Sequence, residues 1–532
     1  MQDFLYTSQD TKNFDSMAIK KFVKDGYDLM QTAGKGCFTK IFKLWPRIQK
    51  FVIFVGIGNN GGDGYVIAKI AAKHNLSVDV VQVGDIKKIS DTANQAYQDL
   101  LKKAPKNINF IKLKDFEDYN DNDLVIVDAL LGTGIKDKPK GDFEKAILLI
   151  NKLKENNKAH KVFSVDIPSG LNADTGYVID NVAVKADATL TLICLKQGLF
   201  TGCAKEYSGN VFFYDLEVGL KLQGKITPKA YLLTENNLNK FVKLKKREQY
   251  KSKHDFGHVV ILGGDYGMGG AALMAGMSAL RAGAGLVTVA THPSNAELLF
   301  LNQPELMSFG VDFNLFSEHF SDNDASFESE DRLAALLDSA DVIVLGPGLG
   351  QGAFGKRLWG FIKNYKARPM VLDADALNWL ANDPEKNDIK RDNWVLTPHP
   401  GEASRLLNTD SASIQKDRYL AVSEINKQYN GVCVLKGSGT IIAKSSEVDN
   451  NISKFVCSYG NSGMGSPGMG DVLSGVIGAL IANGLALDKA ALVAVLAHAK
   501  AGDNQALEHG EKGMLATDLL NEIRKFMNQH SE

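Results

Sequence analysis

Along the first two hundred residues, short apolar runs alternate with segments whose apolar positions recur at helical spacing. "FVIFVGIG" (51–58) leads into "YVIAKIAAKHN" (65–75) and then "VDVVQVG" (78–84). "LVIVDALLG" (124–132), "KVFSVDIPSG" (161–170) and "ATLTLI" (188–193) continue the rhythm. Continuous Val/Ile runs with helices between them predict a mainly parallel sheet covered on both faces. The second half repeats the style in "HVVILGG" (258–264), "GLVTVATH" (285–292), "DVIVLGPGLG" (341–350), "PMVLDADALN" (369–378), "WVLTPHPGE" (394–402) and "VCVLKGSGT" (432–440). Between them, "LEVGLKLQGKITPKA" (216–230) loses the rhythm and carries Gly219, Gly224 and Pro228. Two α/β domains are therefore expected, over 1–222 and 227–532. The basic run "KLKKREQYKSKH" (243–254) reads as a solvated connector, and "FSDNDASFESEDR" (320–332) as an acidic surface loop.

Composition narrows the class. A chain of 532 residues is too long for one core. Lys+Arg (61) and Asp+Glu (62) nearly cancel, so no global field favours nucleic acid or an anionic membrane. The five cysteines are scattered without a Cys-x-x-Cys pair, which argues against a disulfide framework or a zinc site. The opening "MQDFLYTSQDTKNFD" lacks an apolar signal core, so a cytoplasmic location is expected. The most apolar stretch, Val472–Leu487, carries Ser474 and Asn483 and reads as a buried helix.

The 50 glycines cluster at the ends of the apolar runs, where open α/β sheets bind ligands. In the first half, "NNGGDG" (59–64) reads as a loop before a helix, with amides and a helix N-terminus suited to phosphate. A tight structural turn is the alternative, and Asn59, Asn60 and Asp63 tip the reading towards a ligand. Asp128 precedes a second glycine turn at Gly132–Gly134, and Asp166 precedes the rigid Pro168-Ser169 turn. Two strand-end carboxylates beside an Asn/Asp-rich turn make a pocket of oxygens, fit for a hard cation or for acid–base work.

"NNGGDGY", "VDALLGTG" and "VDIPSGLNADTG" resemble the three signatures of the NAD(P)H-hydrate epimerase domain, over roughly 15–220, and the resemblance implies a Rossmann-like three-layer fold. It implies interconversion of the R and S forms of hydrated NADH and NADPH. By that resemblance Asn59, Asn60, Gly61, Gly62 and Asp63, with Gly132, Thr133, Gly134, Ile135, Lys136, Asp137 and Lys138, hold the hydrate's phosphates. Asp166 binds near the nicotinamide as the acid–base residue. Asn60, Asp128 and Ser169 coordinate a potassium ion. "LMQTAG" (29–34) resembles the family's Met-Glu-x-Ala-Gly, with Gln31 in place of the acid.

In the second half, Gly269, Gly270 and Ala271 open an Ala/Gly-rich helical stretch, and "LGPGLG" (345–350) follows a strand. "TPHPGE" (397–402) holds His399 beside Glu402; "LKGSGT" (435–440) joins Lys436 to two glycines and two hydroxyls, suited to phosphate. "GNSGMGSPGMGD" ends in Asp471. This set resembles the ribokinase-like superfamily, and within it the ADP-dependent NAD(P)H-hydrate dehydratases, over roughly 227–530. The family's His-Lys-Gly before the first strand is Ser252-Lys253-His254 here. By resemblance, Lys436, Gly437, Ser438, Gly439, Thr440 and Gly470 bind ADP, with Mg2+ expected alongside it. Ala271, Gly350, His399 and Asp471 contact the hydrate, and Asp471 takes the hydroxyl proton.

The expected function is metabolite repair on NADHX and NADPHX by an isomerase and an ADP-consuming lyase in one chain, assembled as a homo-oligomer. A ribokinase-type vitamin or sugar kinase with an accessory dinucleotide-binding domain is the alternative; a non-catalytic dinucleotide-binding module is a third reading. "TPHPGE" and the pocket carboxylates weigh against the last two.

Overall fold

The computed structural model describes residues 3–102, 106–116, 124–135, 137–312, 325–445 and 452–531. The chain divides into two compact units, Met1–Tyr231 and Leu232–Glu532.

In the first unit the strands are β1 (Phe4–Tyr6), β2 (Lys50–Val55), β3 (Ser77–Gln82), β4 (Ile108–Lys112), β5 (Leu124–Ala129), β6 (Lys161–Val165), β7 (Ala188–Leu192), β8 (Leu195–Lys196) and β9 (Asn210–Tyr214). Seven of them form a sheet in the order β4-β3-β2-β5-β6-β7-β9, parallel throughout. Side chains alternate across it. Phe51, Ile53 and Val55 of β2 pack into one core layer, while Val52 and Phe54 pack into the other. Each fully buried side chain of this size contributes roughly 1.5–3 kcal/mol. β1 pairs in parallel with β8, opposing Tyr6 to Lys196. The helix Ser8–Lys21 follows, capped by Thr7 in reciprocal bonds with Asp10. A short β10 (Ala230–Leu232) sets Ala230 and Tyr231 antiparallel to Leu5 and Phe4.

The second unit carries β11 (His258–Leu262), β12 (Leu286–Thr291), β13 (Met307–Gly310), β14 (Val342–Leu345), β15 (Met370–Leu372), β16 (Trp394–Leu396), β17 (Val432–Leu435), β18 (Thr440–Ser445) and β19 (Ile452–Cys457). Their order is β13-β12-β11-β14-β15-β16-β17-β18-β19. The pairs from β13 to β17 are parallel, and β17-β18 and β18-β19 are antiparallel. Both units thus have the mainly parallel α/β architecture expected.

Two segments depart from the expectations. "NNGGDG" is not a loop: the helix starts at Asn59 and runs to Lys73. Glycine disfavours a helix interior by about 1 kcal/mol, but packing overrides that here. A Cβ on Gly61 would lie 2.0 Å from the Gly56 carbonyl oxygen, and one on Gly64 2.7 Å from the Val55 side chain. Only glycine lets the first turn press this closely on the sheet. In the acidic run 320–332, residues 320–324 lie outside the described residues. From Ala325 the chain is helical to Ser339, because the apolar positions Leu333 and Leu337 are one turn apart and both buried.

Small residues also explain the Ala/Gly-rich helix Gly269–Ala282. It packs on the helix Met469–Ala482, where a Cβ on Gly475 would lie 2.1 Å from the Ala275 carbonyl oxygen. That contact brings the start of one helix, with Ala271, near the start of the other, with Asp471. Among the described residues no helix is long and apolar enough to cross a membrane.

Candidate active sites

In the first unit a cavity of about 510 Å³ opens at the carboxyl ends of the strands. Asn59, Asn60, Asp63, Gly132, Thr133, Gly134 and Asp166 line it. Gly58 caps the Asn59 helix without a side chain, so the first-turn amides stay open to a ligand. Gly61 and Gly62 are instead packed beneath, Gly62 against Met30. Lys138 is engaged by Glu144 at 3.0 Å and Asp180 at 3.4 Å. Lys136 lies outside the described residues; Ile135 and Asp137 are not among the residues lining the cavity.

Behind Asn60 sits a closed polar knot. Asp128 is fully buried and accepts from Ser164 Oγ (2.9 Å), Ser169 N (2.8 Å) and Ser169 Oγ (2.5 Å). Burial pushes its pKa up, against those hydrogen bonds. Asn60 donates to the carbonyls of Leu131 and Val165, both at 3.0 Å, while its Oδ1 is buried without a partner. An orphaned amide oxygen beside a carboxylate and a hydroxyl is an all-oxygen donor set, which fits a hard cation such as potassium.

Asp166 turns off β6 at φ 68°, a left-handed backbone that few non-glycine residues adopt. Its carboxylate is bonded by the fully buried ammonium of Lys196 and by Leu192 N at 2.9 Å. Burial alone would lower the Lys196 pKa, but Asp166, Cys194 and Asp15 outweigh it and raise it. The remaining cavity carboxylates follow the opposite rule. Asp15 is pushed up to about 6 by burial and Asp166, with Lys196 opposing. Asp63 is held well above the usual carboxylate range by burial, Asp166 and Asp15. Lys196 and Asp15 escaped the sequence reading. Lys196 follows β7 closely, so the strand-end rule could have found it; Asp15 sits on an amphipathic helix with no motif around it. Gln31 is exposed on the helix Gly26–Leu44 and its neighbour Met30 lines the cavity instead.

In the second unit, Asp471 is the third residue of its helix, after Gly468 at φ 87°. Lys436 lies at the centre of the site. Its ammonium bonds Asp373 Oδ1 at 2.6 Å and stands 3.8 Å from Glu402 Oε2. A Cβ on Gly470 would lie 3.0 Å from the same nitrogen, so the helix start and the lysine are adjacent. Burial opposes the Lys436 charge, while Asp373 and Glu402 raise its pKa. Asp471 is pushed up to about 7 by burial and Asp373, with Lys436 opposing. Glu402 is likewise raised by burial against the pull of Lys436. Asp373 is buried and its Oδ2 has no partner. Asp373 follows β15 directly and carries the same strand-end signature as Asp128, yet the sequence reading passed over it.

The other expected residues gather round this centre. Lys436 N bonds the Pro398 carbonyl at 2.9 Å, tying "LKGSGT" to "TPHPGE". The fully buried Arg418 holds the first loop from behind through the carbonyls of Leu435 and Lys436, both at 3.1 Å. Gly437 and Gly439 turn at φ 127° and 65°, and Thr440 Oγ1 donates to the Gly437 carbonyl at 3.1 Å. Ser438 lies between the two turns in that loop. Gly350 donates to Asp375 at 2.9 Å, and Asp375 is near enough to raise Asp471. Gly348, in the same turn, abuts Ala271. His399 caps the helix Pro400–Leu406 by accepting from Gly401 N at 3.0 Å, with its Nε2 3.4 Å from Glu402. Burial and Lys436 lower its pKa, which favours the neutral imidazole. Ser252 and Lys253 form an exposed turn capped by Asp255. Among the described residues no group of three His, Cys, Asp or Glu side chains is placed to hold a metal ion.

Comparison with known proteins adds identity to this geometry. The NAD(P)H-hydrate dehydratase family matches residues 259–525, and the family described as YjeF-related protein N-terminus matches 26–198. A bifunctional NAD(P)H-hydrate repair enzyme of Coxiella burnetii is 38% identical over 98% of this chain and 99% of its own. Its counterpart in Escherichia coli is 38% identical over 94% of this chain and 90% of its own. Among solved structures, an ADP/ATP-dependent NAD(P)H-hydrate dehydratase of Bacillus subtilis, co-crystallised with ATP/Mg2+, is 25% identical, with a TM-score of 0.45, over 56% of this chain and 98% of that one. With relatives of this identity aligned from end to end, the chain belongs to the family of bifunctional NAD(P)H-hydrate repair enzymes.

Proposed function

We propose that the two sites divide the two activities of this repair enzyme. The chain epimerises the R and S forms of hydrated NADH and NADPH, and dehydrates the S form at the expense of ADP. The observation that carries the division is that each unit has its own strand-end aspartate, buried lysine and glycine-lined turn.

In the first unit, the amides that open the Asn59 helix and the Gly132–Gly134 turn receive the hydrate's phosphates. Asp166 gives a proton to the hydroxyl as the carbon–oxygen bond breaks to release water, the lone pair of the ring nitrogen forming an iminium, and takes a proton back as water re-adds to the other face. Asn60, Asp128 and Ser169 would hold potassium, whose charge would help fix the turn against the anionic substrate.

In the second unit, Lys436–Thr440 and Gly470 hold ADP, and Ala271, Gly350 and His399 contact the hydrate. Mg2+ would arrive on the nucleotide's own phosphates. Hydroxide is a poor leaving group and phosphate a good one. Asp471 therefore takes the hydroxyl proton while the oxygen forms a bond to the terminal phosphorus of ADP and the bond to AMP breaks. The carbon–oxygen bond then breaks with its electron pair on phosphate, the neighbouring carbon gives its proton to the departing phosphate, the carbon–hydrogen pair forms the ring double bond, and NAD(P)H results. The amides before Asp471 and the Lys436 ammonium stabilise the phosphoryl group in transfer.

The test is to incubate pure protein with mixed epimers and ADP, following the near-ultraviolet absorbance of restored NADH. Complete recovery is expected. Recovery that stalls at the S fraction removes the epimerase claim, and none at all removes the dehydratase claim.

A further inference from the structure

Every hydrogen bond that Asp166 accepts lands on one oxygen. Leu192 N reaches Oδ1 at 2.9 Å, Thr191 Oγ1 at 3.4 Å, and the Lys196 ammonium bonds the same atom. Among the described residues Oδ2 receives none, while Asp166 and Lys196 both line the cavity. Lys196 itself is fixed twice over. Its ammonium donates to the Leu192 carbonyl at 2.6 Å, and its backbone is held in register opposite Tyr6 of β1. Four groups act electrostatically around it: the carboxylates of Asp166, Asp15 and Asp63, and the Cys194 thiol. A fully buried ammonium loses several kcal/mol of hydration, so its place here demands a partner that repays the loss. The left-handed backbone at Asp166 brings that partner to it.

We propose that Lys196 is the positioning residue of the epimerase site: it anchors Asp166 through Oδ1 and thereby presents Oδ2 alone to the reacting hydroxyl. The inference rests on Asp166 being the acid–base group, and its test separates the two. Acid–base catalysis needs its reacting atom held within hydrogen-bond reach of the hydroxyl, and a carboxylate anchored through one oxygen meets that need with the other.

The experiment uses the full chain with Lys196→Ala, Lys196→Met and Asp166→Asn, measuring epimerisation of the R hydrate. Dehydration of purified S hydrate reports the second unit, and thermal melting reports folding of the first. Lys196→Ala and Lys196→Met are expected to lower the epimerisation kcat about 100-fold, within the range for lost acid–base catalysis, and to change KM by less than about threefold. Added propylammonium should restore at least about tenfold of the Lys196→Ala loss, the worth of one charge-assisted contact, and propanol should not. A folded Lys196→Met chain with wild-type epimerisation overturns the proposal. So does a rise in KM in place of the fall in kcat, rescue by propanol equal to that by propylammonium, or no rescue by either. If Asp166→Asn keeps its epimerisation, the assignment of Asp166 itself is wrong.

Discussion

The two units each bury a lysine against an aspartate at the carboxyl end of a parallel sheet, but the pairs stand differently to the proposed base. In the first unit Lys196 bonds Asp166, the proposed acid–base group itself. In the second, Lys436 bonds Asp373, and Asp471 is left beside that pair with its pKa pushed up to about 7. Both turns store backbone strain next to the paired aspartate, at Asp166 (φ 68°) and at Ala374 (φ 47°). The difference teaches that a buried lysine serves two purposes. Bonded to the reacting carboxylate, it fixes an atom in space. Bonded to a neighbour, it compensates the proposed reacting carboxylate only in part, and burial leaves that carboxylate poised to take a proton near neutrality.

The sharpest way to break this comparison is to remove each base. Asp471→Ala should abolish dehydration, by about 10²–10⁴-fold or more, and leave epimerisation intact; Asp166→Asn should do the reverse. Loss of both activities in one folded variant would refute the two-site reading. Next in size is Lys436→Met, which strands the buried Asp373 without its counter-charge. It should cost about 3–5 kcal/mol in a urea unfolding transition assigned to the second unit. A transition that stays within about 1 kcal/mol of wild type would show that the pair is replaceable.

Arg418→Met should loosen the loop that carries Lys436–Thr440. The unpaired Leu435 and Lys436 carbonyls would raise the KM for ADP about tenfold, with kcat nearly constant. An unchanged KM would show that the loop holds its shape unaided.

The pH dependence sharpens the contrast further. Dehydration should rise with pH through about 7 as Asp471 ionises. The stability effect has the opposite sign. Because the folded pKa is raised above the unfolded value, the unfolded chain ionises first, and stability falls as pH climbs from the unfolded value to about 7. Asp471→Asn removes that cost. Differential scanning calorimetry should find the variant about 2–4 °C more stable than wild type at pH 8, for each kcal/mol relieved, and equal to it at pH 3. Equal midpoints at pH 8 would mean the charge is solvated after all.

Most of the fold was legible because buried parallel strands leave unbroken Val/Ile runs, and these marked the starts of β2, β5, β6 and β11 to within one residue, while each run read on past the strand into the turn that follows. The glycine turns and the aspartates after each run were legible for the same reason, since a strand end is where the chain must turn and where ligands sit. What escaped was what depends on packing. "NNGGDG" looked like a loop because glycine weakens helices, and became the first turn of one because the sheet beneath leaves no room for a Cβ. Arg418 belongs to no motif in the sequence and is wholly buried behind a loop.

The sequence by itself determined two α/β units, the family each resembles, and the proposed bases Asp166 and Asp471, since each of these is written in contiguous residues. Only the tertiary structure decided the partners. Lys196 meets Asp166 across thirty residues and Lys436 meets Asp373 across sixty-three, and Asp15 reaches the same cavity from the amino-terminal helix. A charge's environment is set by what folding brings within a few ångströms and by how much water it removes, and neither quantity is local in the chain.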